Sequence, residues 1–552
     1  MNRRPAQSGQ PPASRRGSLL VIVLVVIVLL SLAAYTFSDV MITENEAAVM
    51  QGRAVAARNF ALSGIEYAAA WLETPDDIET ENLYHNPQTF AGVLLQDAPT
   101  DRARGRFTIV APVETDPEGR QIRFGLIDES GKLNLNALPL EDLDDEQARE
   151  MLMSIPNMTE EVADSILDWI DSDDERRQYG AEDDTYQSMS PPYYTKNGPL
   201  ESLDELLLVN GVTPALLYGE DANRNGLLDP NEDDGEVSRP SDNEDGILEL
   251  GWSAYLTIYS RESNLRSDGT EKIDVNQSLL TELYDELEAE FGEEIAQFIT
   301  AYRMYGATNV DPLEGESDGP SSTGDIETDE SLREAAESIA RAALGGDGES
   351  SVTRGGLDLS QGGTQKIESL YELIDAEVEA QIDGTRTKIV SPWTSDPGDL
   401  AENLPILFDT LSTTANPYIE GRININQARY EVLLGIPDMP VELADAIVSS
   451  QLIGSNGEPL EDQLSIRNTT GWLLIEGLTD LTTMRTLDKY ITARGDVYRA
   501  QVLGHFDAGG PVARLEAIID VTEFPARIVS CRDISQLGPG YQLQQMFSEG
   551  GL

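Results

Sequence analysis

Residues 18–37, SLLVIVLVVIVLLSLAAYTF, are apolar throughout apart from two serines, a threonine and a tyrosine, and carry no charge. About 20 residues at 1.5 Å rise make a helix of roughly 30 Å, the thickness of a bilayer's hydrocarbon core. Arg3, Arg4, Arg15 and Arg16 precede the run, and the first acid in the chain is Asp39. The positive-inside rule leaves this leader in the cytoplasm and exports the chain beyond Phe37. A secretory signal would have a shorter apolar core, about 7–15 residues, and a small-residue cleavage site behind it. Here an amphipathic pattern continues over 39–72 without a proline. Ala47, Ala48, Ala54, Ala56, Ala57, Ala61, Ala68, Ala69 and Ala70 give that stretch high helix propensity. The pattern predicts one long helix, apolar in its first half and amphipathic in its second. The plainer reading is an ordinary single-pass anchor.

Charge narrows the partners. Lys+Arg 38 against Asp+Glu 99 leaves a net charge of −61, which argues against nucleic acid. Such acidity suits a solvated surface or divalent-cation binding. Cys531 is the only cysteine, so no intrachain disulfide can form. His85 and His505 are the only histidines, which makes a multi-histidine metal site or histidine catalysis a poor expectation. No HExxH or Walker-type loop occurs, and with 99 acids no carboxylate pair stands out, so the chain is not read as an enzyme.

The chain also repeats itself. Residues 131–170 and 421–451 each run from Gly and a basic residue through alternating Asn, a helix, an Ile-Pro turn and a second helix. Asn134 and Asn136 match Asn424 and Asn426, Ile155-Pro156 matches Ile436-Pro437, Ala163 matches Ala444, and Ile166 matches Ile447. A weaker third copy starts at Lys272 and ends with Ala296, Ile299 and Arg303. Each unit reads as a short strand and a helical hairpin that cannot bury its apolar face alone. Helix-hairpin-helix modules grip DNA phosphates through a Gly-rich turn; here the turns carry Pro and acids, IPNMTEE and IPDMPVE, so packing is the better reading.

Residues 221–232, DANRNGLLDPNE, meet the calcium-loop pattern D-x-[DN]-x-[DN]-G-x5-E in full. Asp221, Asn223 and Asn225 would supply side-chain oxygens, Leu227 a carbonyl, Asp229 a direct or water-mediated contact and Glu232 two oxygens, with Gly226 making the turn. No exiting helix is expected, because Gly235, Pro240 and Gly246 come next. The alternative is a solvated acidic loop. Asp168, Asp171, Asp173, Glu182 and Asp183 form a weaker candidate cluster, for which a helix end with exposed acids is the competing reading.

A basic leader, a Gly, an apolar stretch and an amphipathic extension resemble the class III signal of type IV pilins and pseudopilins. In that superfamily a prepilin peptidase cuts after the Gly, here Gly17, so Ser18 would become the N-terminus and the site of methylation. Most members carry Glu five residues into the mature chain; here that position is Ile22. The departure resembles the minor pseudopilin K family of type II secretion. There the missing Glu suits a tip subunit, which has no preceding amine to neutralise, and an unpaired buried carboxylate would be costly. The run 168–184 followed by Pro191-Pro192-Tyr193 and residues 200–212 resembles the inserted helical domain of that family, whose acidic loops bind calcium.

The resemblance implies an α+β fold: a long N-terminal transmembrane and amphipathic helix packed on a pilin-like antiparallel sheet, with large inserted SAM-like helical-hairpin domains. The expected boundaries are a leader at 1–17, the helix at 18–72, the first part of the sheet at 73–130, an inserted helical domain with calcium loops at 131–306, a flexible acidic insertion at 307–366, a second helical-hairpin region at 367–494 and closing strands at 495–552. Paired strands are expected at 106–113 and 120–128, helices at 332–344 and 364–383, and a three-strand meander at 497–505, 512–520 and 526–534. The implied function is assembly at the pseudopilus tip, in the inner membrane with the bulk in the periplasm. The implied partners are other minor pseudopilins, pseudopilus subunits, the inner-membrane assembly platform and prepilin peptidase. A minor pilin of a type IV pilus, or a membrane-anchored calcium-binding adhesion protein, is the alternative.

Overall fold

The computed structural model describes residues 16–73, 83–114, 116, 119–140, 143–309, 352–451 and 467–542. The leader before Arg16, the helix expected at 332–344 and most of the acidic insertion at 307–366 lie outside the described residues.

Helix α1, Arg16–Leu72, is continuous for 57 residues, about 85 Å at 1.5 Å per residue. It is long and apolar enough to cross a membrane. Residues 19–52 are exposed on every side, and burial begins at Ala57. From there Ala57, Ala61, Ile65, Ala68 and Leu72 recur every three or four residues and face the sheet.

The sheet draws its strands from both ends of the sequence. Strands β1 (Val93–Gln96), β2 (Gly105–Pro112), β3 (Ile122–Arg123) and β4 (Ile127–Asp128) precede the repeats, and β5 (Val497–Phe506), β6 (Ala513–Asp520) and β7 (Arg527–Asp533) come after them. They form a seven-stranded antiparallel sheet of order β1-β2-β5-β6-β7, with β3 added to β2 and β4 to β5. The meander β5–β7 agrees with expectation to within a residue or two at each end. Phe107, Val502, Leu515 and Ile519 close the core against α1. That approach needs Gly504 on β5: a Cβ there would lie 1.9 Å from the Ala57 carbonyl oxygen.

Three strand-and-hairpin units fill the insert and share one hydrophobic core. In the first, Leu133–Asn134 precedes α2 (Asp145–Met153) and α3 (Glu160–Ile170); in the second, Ile273–Asp274 precedes α4 (Leu280–Phe291) and α5 (Glu293–Tyr305); in the third, Ile423–Asn424 precedes α6 (Tyr430–Leu434) and α7 (Val441–Ser450). Each opening strand pairs in parallel with a later one, Leu256–Thr257, Leu411–Ser412 and Ile491–Thr492 respectively.

The repeated Asn explains these units. Asn134, Asp274 and Asn424 each accept the N–H two residues on, at 3.0, 2.8 and 3.0 Å. The amides of Asn136, Asn276 and Asn426 then hold a distant chain segment: Leu200 O at 2.9 Å, Ile367 O and Thr413 O at 2.8 and 2.9 Å, and Arg467 O and Ala493 O at 3.0 and 2.8 Å. The Ile-Pro turns match as well, with Asn157 (φ 60°) and Asp438 (φ 59°) in the left-handed region that Asn and Asp tolerate.

Two expectations are corrected. Residues 364–383 are not a helix; they contain a short 3-10 turn, Leu370–Leu373, and the strand Glu377–Ile382, which forms a hairpin with Thr385–Val390. Val378 and Ala380 are buried at a period of two, and Asp383-Gly384, both at positive φ, make the tight turn. Residues 120–128 are not one strand. Phe124 and Leu126 bond backwards to Asn86 and Leu83, so β3 and β4 join different neighbours. Gly125 permits this, since a Cβ would lie 2.1 Å from Tyr84 O.

Candidate cation loops and assembly helix

Residues 221–232 wind their polar side chains inward. Asp221 accepts Asn225 N at 3.0 Å and Gly226 N at 2.8 Å, while Glu232 accepts Ala222 N at 2.9 Å and Asp229 N at 3.0 Å. The amides of Asn223 and Asn225 both donate to Asp229 Oδ2, at 2.6 and 2.9 Å. Leu227 is buried, its N–H on Asn225 Oδ1 at 2.7 Å. Gly226, at φ 70°, is obligatory because a Cβ would lie 2.6 Å from Pro112 Cγ. As expected, no helix succeeds the loop among the described residues through 250.

The loop concentrates buried negative charge. Glu232 is 1% exposed and Asp221 9%. Burial pushes Glu232 up to about 7, helped by Asp221 and Asp229, and burial raises Asp221 too. Asn223 Oδ1 is buried without a hydrogen-bond partner. These are oxygen donors that suit calcium.

The second cluster lies at the C-terminal end of α3. Asp168 is fully buried and Glu182 nearly so, against the competing reading of exposed helix-end acids; Asp173 is exposed. Asp168 Oδ2, Asp171 Oδ1, both Glu182 oxygens and Asn197 Oδ1 are buried without a hydrogen-bond partner. Burial pushes Asp168 up to about 6 and Glu182 up to about 7; the Thr195 hydroxyl beside Glu182 tempers that rise without closing a hydrogen bond of normal geometry. Gly180 makes room, since a Cβ would lie 1.9 Å from Asp168 Oδ2. Asp173 and Asp183 are turned to backbone N–H groups, Glu175 N at 2.7 Å and Thr195 N at 2.9 Å.

Arg177 went unrecognised in the sequence. Its guanidinium donates to Asp168 Oδ1 at 3.0 Å and to Asp171 Oδ2, supplying positive charge inside the cluster. Asn197 was missed as well; its amide reaches Asp173 O and Asp174 Oδ1, both at 2.7 Å. Arg177 stands inside the acidic run itself, nine residues from Asp168 and six from Asp171, so its charge among those acids was the available signal. Asn197 carries no such mark, because only the fold brings its loop to the cluster. Among the described residues, no three His, Cys, Asp or Glu side chains converge as they stand on one point fit for a metal ion. Arg177 in one cluster and the backbone N–H groups in the other hold the carboxylates apart.

At the other end, Gly17 and Ser18 fall in the first turn of α1, and Ile22 is exposed within its apolar half.

A helix long and apolar enough to cross a membrane, its far half packed on an antiparallel sheet split by a helical insert, defines an α+β protein with a candidate single-pass anchor. Residues 131–218 match the family described as type II secretion system (T2SS), protein K. That segment is similar to the first domain of type II secretion protein K. Type II secretion system protein K of Klebsiella pneumoniae is 29% identical over 205 residues, 34% of this chain and 57% of that protein. The putative protein K of Escherichia coli is 46% identical over 55 residues, and protein K of Aeromonas hydrophila 44% over 57, each spanning 10% of this chain and 17% of the relative. The match thus spans a little over half the length of the Klebsiella relative. The crystal structure of the GspK-GspI-GspJ complex from enterotoxigenic Escherichia coli aligns over 89% of this chain and 98% of that one, at 11% identity and a TM-score of 0.33.

Proposed function

We propose that this chain is a minor pseudopilin of a type II secretion system, acting by assembly at the pseudopilus tip. The protein K domain at 131–218, standing between the two halves of a sheet packed on a spanning helix, is the observation that carries the reading. The chain sits in the inner membrane with its head in the periplasm, and prepilin peptidase cuts after Gly17. Helix α1 then associates with the helices of other minor pseudopilins. Its uncovered residues 19–52 support this, because outside lipid they would cost about 25 cal/mol for each Å² of apolar surface left in water. The head, bulkier than a simple pilin sheet, stands above the fibre, and Ile22 in place of Glu suits a subunit with none before it.

Calcium is the cation proposed for both acidic clusters. Asp221, Asn223, Asn225, Leu227, Asp229 and Glu232 would hold it in the loop. Asp168, Asp171 and Glu182 would hold a second ion, with Asp173 and Asp183 free to turn inward. Calcium would supply positive charge where burial otherwise favours protonated carboxylates.

N-terminal sequencing of the membrane-extracted protein, from cells with and without prepilin peptidase, tests the processing. A start at Ser18 that depends on the peptidase is expected; a start at Met1 in both would contradict the assignment.

A further inference from the structure

The winding of residues 221–232 has an outer side. With the side-chain oxygens of Asp221 and Asn225 and the amide nitrogen of Asn223 engaged within the loop, the carbonyls of residues 223–225 are left to reach the sheet. Arg514 on β6, fully buried, meets them with both ends of its guanidinium: Nη1 to Asn223 O at 2.7 Å and Nη2 to Arg224 O at 2.5 Å. Gln501 on β5 adds Nε2 to Arg224 O at 3.1 Å, and its Oε1 accepts Arg514 Nη2 at 2.8 Å. The chain's C-terminal segment closes over the same point. Tyr541 donates to Asn225 O at 2.9 Å, and Asn225 Nδ2 donates to Gly540 O at 2.5 Å. Gly540 permits the closure, at φ 70°, since a Cβ would lie 2.5 Å from Arg514 Nη1.

Arg514 spends its fork on carbonyls; among the described residues it forms no ion pair with a carboxylate. A planar fork matches two successive carbonyls only while the loop keeps this winding. Arg224 at φ 59° and Gly226 at φ 70° belong to that winding and would be lost if the loop opened. Beside the contact, a cleft of about 980 Å³ separates the sheet from the head, lined by Arg499, Glu516 and Arg532 on one wall and Tyr218, Arg224 and Glu249 on the other. The loop therefore bridges sheet and head beside this cleft.

We propose that residues 221–226 and 538–541 form a latch, centred on Arg514, that fixes the inserted head against the sheet. The further statement that a cation tightens the latch rests on the calcium reading above. Binding inside the loop stabilises the winding, and the winding is what presents the carbonyls to Arg514, Gln501 and Tyr541.

Hydrogen exchange on the full chain in detergent tests this, comparing wild type with Arg514→Gln and with Tyr541→Phe, which keeps the ring and removes only the hydroxyl. In EGTA, both variants are expected to exchange about tenfold faster than wild type at 221–232 and 538–541, with α2 and α3 unchanged. Wild-type protection at these segments in Tyr541→Phe, or in a folded Arg514→Gln, would overturn the latch. Calcium chloride is then added, with calorimetry on the same samples. Slower exchange at 538–541 in wild type on calcium binding supports the coupling. Calcium that binds without changing exchange there overturns the coupling and leaves the calcium reading standing. If no calcium binds, the calcium reading and the coupling both fail, and the EGTA comparison still decides the latch.

Discussion

Arg499 grips Glu129 through both carboxylate oxygens, with Nε 2.7 Å from Oε1 and Nη2 3.2 Å from Oε2. Glu129 is the residue at which the chain leaves the sheet for the insert, and Arg499 lies on β5, just after it returns. Lys132 and the Thr257 hydroxyl complete the shell of Glu129, and Arg499 also holds Glu516 at 3.1 Å. Nearby, Asn424 of the third unit donates to Asp128 Oδ2 at 2.7 Å. Entry, exit and the last repeat are therefore tied at one buried polar knot.

Breaking one partner of such a knot leaves a buried charge. Arg499→Gln is expected to cost about 3–5 kcal/mol, read by chemical denaturation in detergent. The knot also has a definite pH dependence. Burial pushes Glu129 upward, but Arg499 and Lys132 outweigh it and hold the carboxyl well below its usual range. Its contribution is present above the unfolded value, about 4.3, and is lost as pH falls below it.

His505 gives a second, separable pH dependence. It is buried on β5 beside Thr108 Oγ1 at 3.1 Å, and burial lowers its pKa to about 4, partly countered by Asp507. The folded state then binds fewer protons than the unfolded one below about pH 6.5. Stability is fully present above that value and falls as pH drops toward 4, by about 3 kcal/mol over the interval. His505→Gln, which keeps a partner for Thr108 and does not titrate, should flatten that part of a denaturation-versus-pH curve.

Helix and sheet meet through glycine. Gly504→Ala would drive a Cβ into the Ala57 carbonyl, so α1 or β5 must shift; the expected cost is about 3 kcal/mol or more. Gly52→Ala, also on α1 but with nothing within 4 Å, should be neutral or stabilise by up to about 1 kcal/mol. Equal effects of the two in thermal unfolding would contradict the packing described.

The two acidic clusters should respond separately. Glu232→Gln is expected to weaken one calcium-binding event by roughly tenfold or more, and Asp168→Asn a different one, in calorimetric titration. Chelation should lower the thermal midpoint of wild type, because a ligand bound only to the folded state stabilises it.

How legible all this was depends on the range of each signal. The long helix, the meander and the three units could be read because each rests on local periodicity, and Asn136 and Asn426 were visible by repetition. The hairpin at 377–390 was missed although its Asp383-Gly384 turn stood in the sequence, because Leu, Ile and Ala nearby also satisfy a helical spacing. The break at Gly125 depends on the backbone of Tyr84, far upstream, and left no local mark. In the clusters, the acids were recognisable by type and spacing. Asn197 and Arg514 were not, because each acts on a segment remote in sequence, and Arg177, only nine and six residues from Asp168 and Asp171, belonged to no motif.

The assignment as an assembling minor pseudopilin meets its most direct test in one purification. The chain carries an affinity tag and is extracted from membranes of cells that also make the other minor pseudopilins of the same secretion system; the eluate is then sized and its subunits identified. A complex holding one copy of this chain with those pseudopilins, lost when α1 is deleted, is predicted. Recovery of the chain alone, while the others assemble without it, would contradict the account.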